Sequence, residues 1–72
     1  MADLAVLYTH PDCTYSHALK AELDEAGAGY EEIDLALRPG AWAELEKLTG
    51  GERITPVLVE GDNVSVGYHG VG

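Results

Sequence analysis

The chain predicts an α/β fold, with two helices against a four-stranded mixed sheet in the order strand, helix, strand, helix, strand, strand. Three observations predict it. Apolar runs of strand length at residues 4–8, 30–35 and 56–60 alternate with two stretches whose apolar residues recur at helical spacing. Glycines follow both helical stretches. A Gly-Asp-Asn turn at residues 61–63 separates the last two apolar runs, the signature of a hairpin.

Taken in order, LAVLY at residues 4–8 lacks useful alternation, the pattern of a strand covered on both faces. After the THPDC corner, Tyr15, Ala18, Leu19, Leu23 and Ala26 form one helical stripe, while Lys20, Glu22, Asp24 and Glu25 fill much of the other face. Gly27 and Gly29 end this helix, since glycine tolerates the left-handed conformation beyond a helix C-terminus. YEEIDL, residues 30–35, is the second strand, with Tyr30 and Ile33 as core anchors. Pro39 suits the first turn of the next helix, where its missing N–H is not needed. Ala41, Trp42, Leu45 and Leu48 make that helix's apolar stripe, and TGG at residues 49–51 stops it. TPVLVE opens a strand at a proline, and VSVGY returns antiparallel to it. The first half is a right-handed crossover between parallel strands.

At 72 residues the chain has the length of one domain, 1–72, near the lower limit for an independent core. No repeat, linker or low-complexity tract interrupts it. Thirteen acidic residues against four basic ones give a charge of −9, a field that repels nucleic acid and anionic membranes. These acidic residues are dispersed, as on solvated helix and strand faces. No apolar run reaches membrane-spanning length, and no secretory signal is visible at the N-terminus. A single cysteine excludes an internal disulfide framework, so a cytoplasmic location is expected.

That cysteine lies in HPDCTYSH, residues 10–17, where a strand ends and a helix begins. Disulfide exchange requires a thiolate, and a helix N-terminus offers unpaired N–H groups and the positive end of the helix dipole. Ser16 sits one turn beyond Cys13, where its hydroxyl can donate to sulfur but cannot attack a mixed disulfide. Any disulfide at Cys13 is therefore intermolecular and is resolved by an outside thiol. Asp12 opposes the thiolate if its carboxylate points toward it. His10 favours the thiolate only when protonated.

The element order, with a cysteine at the first strand-to-helix corner and a proline opening the third strand, resembles the thioredoxin fold. The likeness is closest to the glutaredoxins. LYTHPDCTYS is similar to their strand-loop-helix segment, with Cys13-Thr14-Tyr15-Ser16 where dithiol members carry Cys-Pro-Tyr-Cys. LTGGERITPVLVEGDNVSVGY is similar to the stretch holding their cis-proline and the glycine turn after the last hairpin. YTHPDC also resembles small redoxins that reduce ribonucleotide reductase and glutaredoxin-like bacterial proteins in which selenocysteine can replace the active cysteine. The resemblance covers almost the whole chain.

It implies a thioredoxin-like βαβαββ sandwich without the usual C-terminal helix, and a thiol–disulfide oxidoreductase working through one cysteine. Cys13 and Ser16 then form the catalytic corner. His10, Tyr15, Thr55, Pro56, Gly67 and Tyr68 form the substrate-binding set, with Thr55-Pro56 a cis bond facing Cys13 and Gly67-Tyr68 the turn that meets a γ-glutamyl group. Glutathione is the implied co-substrate, and no tightly bound cofactor is expected. The partner is a small or protein thiol or disulfide, and the chain is expected to be a monomer or weak dimer. Three departures stand out. Ser16 replaces the resolving cysteine, and His10 replaces a lysine common in the family. The chain ends at Gly72, without the family's Asp after the glycine turn. The last two weaken the expectation of strong glutathione binding.

The alternative is a non-catalytic module using the same corner. His10, Cys13 and His17, with His69, are a potential zinc or copper set, although the spacing is no recognised zinc signature. An iron–sulfur cluster held between two subunits with glutathione as ligand is a further form of that alternative, as is a purely protein-binding role. Arg38 is read as a surface charge or a contact for a substrate carboxylate, and Trp42 as core.

Overall fold

In the computed structural model, which describes residues 5–27 and 29–68, β1 (Ala5–Thr9) leads to α1 (Thr14–Ala26) and then to β2 (Tyr30–Asp34). A 3₁₀ turn (Pro39–Ala41) runs into α2 (Trp42–Thr49), followed by β3 (Val57–Glu60) and β4 (Asn63–Val66). The strands form one sheet in the order β2-β1-β3-β4. β1 pairs parallel with β2, Val6 opposite Glu31 and Tyr8 opposite Ile33. β1 is antiparallel to β3, Leu7 opposite Leu58, and β3 is antiparallel to β4, Val57 opposite Val66. This is the expected mixed four-stranded α/β architecture.

The core lies mainly between the sheet and α2. Tyr8, Leu35, Leu45 and Val57 are buried together, with Val6, Ile33, Trp42, Leu48, Ile54 and Val66 packed against them. Since side chains alternate across a strand, Leu7 and Leu58 belong to the opposite face, and both are buried. The hairpin places Glu60 opposite Asn63, so Gly61 and Asp62 make the two-residue turn and Asn63 joins the strand.

Several elements differ from their sequence reading. β1 includes Thr9, which is buried because its hydroxyl donates to Glu32 Oε2 at 2.7 Å. Its expected first residue, Leu4, lies outside the described residues. β2 ends at Asp34, whose carboxylate and carbonyl accept the N–H groups of Ala36, Leu37 and Arg38 and turn the chain. Leu35, just past this strand, is the buried anchor, and Ile33 packs beside it. Tyr30 is not a core anchor: its hydroxyl donates to Asp24 Oδ1 at 3.0 Å at the surface. Pro39 begins the separate 3₁₀ turn rather than α2.

On α1, Ser16 is the fully buried residue, Ala18, Leu19 and Leu23 are half-buried, and Tyr15 and Ala26 are exposed. The expected stripe therefore shifts away from Tyr15, which makes an aromatic contact outside the core. Gly27 closes α1 at φ 68°, as expected of a left-handed cap, and Gly50 closes α2 at φ 79°. The expectation that no helix follows β4 concerns residues beyond Tyr68, outside those described.

Candidate active site at the first strand-to-helix corner

The corner is built by the chain between β1 and α1. Cys13 N–H donates to His10 O at 3.0 Å, closing a four-residue turn whose second position is Pro11, where its fixed φ fits. Cys13 is the N-cap of α1, with extended backbone angles of φ −95° and ψ 108°. Ser16 N–H donates to Cys13 O at 3.1 Å, starting the helix, and the Ser16 hydroxyl turns inward. There it accepts the His10 N–H at 3.4 Å, so strand end, turn and helix start are tied through one buried oxygen.

From the other side comes the segment before β3. The Thr55–Pro56 bond is cis, and Thr55 O stands 3.4 Å from Cys13 Sγ. Gly67, at φ 82°, donates its N–H to Pro56 O at 2.7 Å and so holds the turn after β4 against the same segment. The next residue, Tyr68, stacks its ring on Tyr15 with centroids 6.4 Å apart. This pair joins the start of α1 to the end of the hairpin beside the sulfur's corner.

The half-buried Cys13 thiol is held below the ordinary cysteine range. Burial alone pushes it up. The Ser16 hydroxyl, the Thr55 side chain and the Ser16 and Tyr15 amides reverse that by donating toward the anion. Neither amide closes a full capping hydrogen bond, so their contribution is that of nearby dipoles. The contact with Thr55 O works the other way, because a carbonyl accepts from S–H and repels S⁻. Four donors oppose this one acceptor, and the balance favours the thiolate.

His10 and Asp12 contact each other in the turn before Cys13. His10 Nδ1 accepts the Asp12 N–H at 3.1 Å, which requires a lone pair on that nitrogen and hence an unprotonated Nδ1. Asp12 Oδ2 approaches the same atom at 3.9 Å. The His10 ring packs toward Trp42, with centroids 6.1 Å apart. His10 serves the corner through its backbone and as a turn-former.

His17 Nε2 lies 3.0 Å from Pro11 O. Among the described residues no group of three His, Cys, Asp or Glu side chains is arranged to hold a metal. His69, the other proposed ligand, lies outside them. Trp42 packs against the core as expected, and it carries Arg53 over its ring at 5.2 Å. Arg38 is exposed and lines a surface hollow with Lys20, Glu32, Asp34 and Leu37.

Three partners of the site were not read from the sequence. Glu22 receives the Tyr68 hydroxyl, which raises that phenol's pKa, first through this hydrogen bond. Its spacing of seven from Tyr15, one helical face, was the available signal. Glu46 binds Arg53 at 3.2 Å, and Glu32 bridges Thr9 and Lys20, the latter at 3.0 Å. The Glu32 contacts join separate elements and Arg53 reaches Glu46 from the loop after α2, and hydrophobic patterning marks neither.

The glutaredoxin family profile matches residues 5–64. The chain belongs to the glutaredoxin family. Solved structures agree in fold. The glutaredoxin of Archaeoglobus fulgidus superposes with a TM-score of 0.80 at 23% identity, over 94% of this chain and 77% of its own. The glutaredoxin-like NrdH-redoxin of Escherichia coli, described as having a thioredoxin-like activity profile, gives 0.76 at 32% identity over 92% and 84%. Glutaredoxin from Brucella melitensis gives 0.71 at 33% identity over 93% and 71%. No match was found among the curated proteins. Within this glutaredoxin-family, thioredoxin-like fold, Cys13 stands at the strand-to-helix corner beside a cis-proline. No helix among the described residues is long and apolar enough to cross a membrane.

Proposed function

We propose that this glutaredoxin-family chain is a thiol–disulfide oxidoreductase acting through Cys13 alone. The observation that carries the reading is the lowered Cys13 thiol at the start of α1, 3.4 Å from the carbonyl of Thr55. The thiolate attacks one sulfur of a mixed disulfide, the new Cys13 S–S bond forms, the old one breaks, and the leaving thiolate takes a proton from water. A second, external thiolate then attacks the adduct and returns Cys13 to its starting state. One disulfide and one thiol enter and one of each leave, so the protein undergoes no net redox change.

Ser16 supports the first step by donating its hydroxyl to the anionic sulfur. It offers no second thiol, so the resolving thiol comes from outside, with glutathione the small-molecule candidate. Thr55, Pro56 and Gly67 provide an extended edge, and Tyr15 and Tyr68 a flat aromatic rim, against which a substrate backbone and side chain lie. This chemistry suits a reducing compartment rich in free thiols, such as the cytoplasm.

Mass spectrometry after treatment with hydroxyethyl disulfide or oxidised glutathione near neutral pH tests the reading. One adduct is expected on the native protein, absent in Cys13→Ser and removed by added free thiol. If neither reagent modifies the native protein, the oxidoreductase reading fails.

A further inference from the structure

We propose that the rim of this corner selects disulfides carried on basic protein segments. A Lys or Arg beside the substrate's half-cystine lies on the Tyr15–Tyr68 pair, with the Glu22 carboxylate at its edge and the exposed Asp12 preceding the sulfur. The inference rests on Cys13 being the nucleophile of thiol–disulfide exchange.

The aromatic pair is the first observation. Tyr15 is 42% exposed and stacked on Tyr68 with an interplanar angle of 24°, so π surface is presented beside the sulfur's helix start. Such faces attract Arg and Lys through the ring quadrupole. The Tyr68 hydroxyl is fixed on Glu22, two turns after Tyr15 on the same face of α1, so a carboxylate lies at the edge of the platform. At the helix's start, directly before Cys13, the Asp12 side chain is 93% exposed. An aromatic surface with a carboxylate at its edge and an exposed Asp next to the sulfur's residue is a cation's environment.

Charge is the second, independent observation. The whole chain carries −9, and two of its four Lys and Arg residues are already engaged, Lys20 by Glu32 and Arg53 by Glu46 and the Trp42 ring. Arg53, two residues before Thr55, is thus already committed to a carboxylate of its own chain when an anionic ligand arrives. Fields of this size change association rates by factors of roughly 10 to 10³ with the sign of the ligand. A basic segment is drawn in, and an acidic one is held off.

The test uses three peptides, Ala-X-Cys-X-Ala with X as Arg, Ser or Glu, each as its mixed disulfide with 2-mercaptoethanol. The rate of Cys13 consumption is divided by the rate of the same peptide with free 2-mercaptoethanol, which removes the peptide's intrinsic reactivity. At an ionic strength of about 0.01 M, where the screening length is about 30 Å, the Arg peptide should exceed the Glu peptide about tenfold or more. At about 1 M, with screening near 3 Å, the gap should fall severalfold. The double variant Asp12→Asn with Glu22→Gln should narrow the low-salt gap. A low-salt ratio within about twofold overturns the proposal, since steering of this kind is worth at least tenfold. So does a ratio unchanged in the double variant. Failure of the Ser peptide to react overturns the nucleophile reading itself and this inference with it, whereas reaction of all three peptides at one rate removes only the charge preference.

Discussion

Ser16 holds the corner together at the scale of a single oxygen. Its hydroxyl is buried, accepts the His10 N–H and donates toward Cys13, so each of its roles depends on the other being fixed. Ser16→Ala removes the donor and leaves the His10 N–H without its acceptor. The alkylation rate of native Cys13 should reach half its maximum at a lower pH than that of the same thiol in the unfolded chain. In Ser16→Ala that midpoint should move upward, and the rate at pH 7 should fall severalfold. A midpoint that stays in place would remove Ser16 from the chemistry. The sign extends to stability. The folded pKa is the lower one, so the contribution of the ionised sulfur is complete above the unfolded thiol's pKa and is lost as pH falls through the folded value. The unfolding free energy of the native chain, measured against Cys13→Ser across that window, should rise with pH.

How much of this corner was legible follows from the range of the forces involved. Cys13 at a helix start was readable, because strand, turn and helix signals are local. The partnership with Thr55 was readable only through the family resemblance, since 42 residues separate the two. The contact between His10 and Asp12 was not readable, because nothing in the residue pattern shows that the Asp12 N–H reaches back to the His10 ring.

At the scale of elements, order was clear and ends were not. Helical periodicity and glycine stops gave both helices, yet α1 faces the sheet with Ser16 rather than Tyr15. A stripe of apolar spacing cannot tell a residue packed in the core from one stacked on an aromatic neighbour, and Tyr68 is 53 positions away from Tyr15. β2 ends one residue early because Asp34 captures three amides, a polar event that hydrophobic pattern does not report. Gly50 shows a legible stop with a measurable consequence. At φ 79° nothing lies within 4 Å of an added Cβ, so the penalty in Gly50→Ala is confined to the backbone. We expect a loss of about 1 kcal/mol in denaturant unfolding, the scale of left-handed strain in a non-glycine residue. An unchanged midpoint would mean that α2 can end without this cap.

At the scale of the molecule, two features compete. The core around Leu45 and Val57 holds the sheet to α2, while thirteen acidic residues repel one another across a small surface. Salt screens that repulsion, and among the described residues only a few ion pairs stand to lose by it. The thermal midpoint should therefore rise between about 0.01 M and about 0.3 M sodium chloride, as the screening length shrinks from about 30 Å to less than 10 Å. A midpoint that falls would show that the Lys20–Glu32 and Arg53–Glu46 pairs outweigh the self-repulsion. Family and fold were recoverable from the sequence because its motifs extend over most of the chain. The pairing of those cations was not, because Lys20 and Glu32 lie on elements that meet only after folding, and Arg53 reaches Glu46 through the turn that closes α2.

The contact between Cys13 and Thr55 carries one more consequence. Part of the sulfur's acidity is lent by the Thr55 side chain, 42 residues along the chain, and that part is lost when the two separate. The one thiol in this chain thus reports on its own folding. The pH midpoint of its alkylation should therefore rise when Thr55 is pulled away, with no label added.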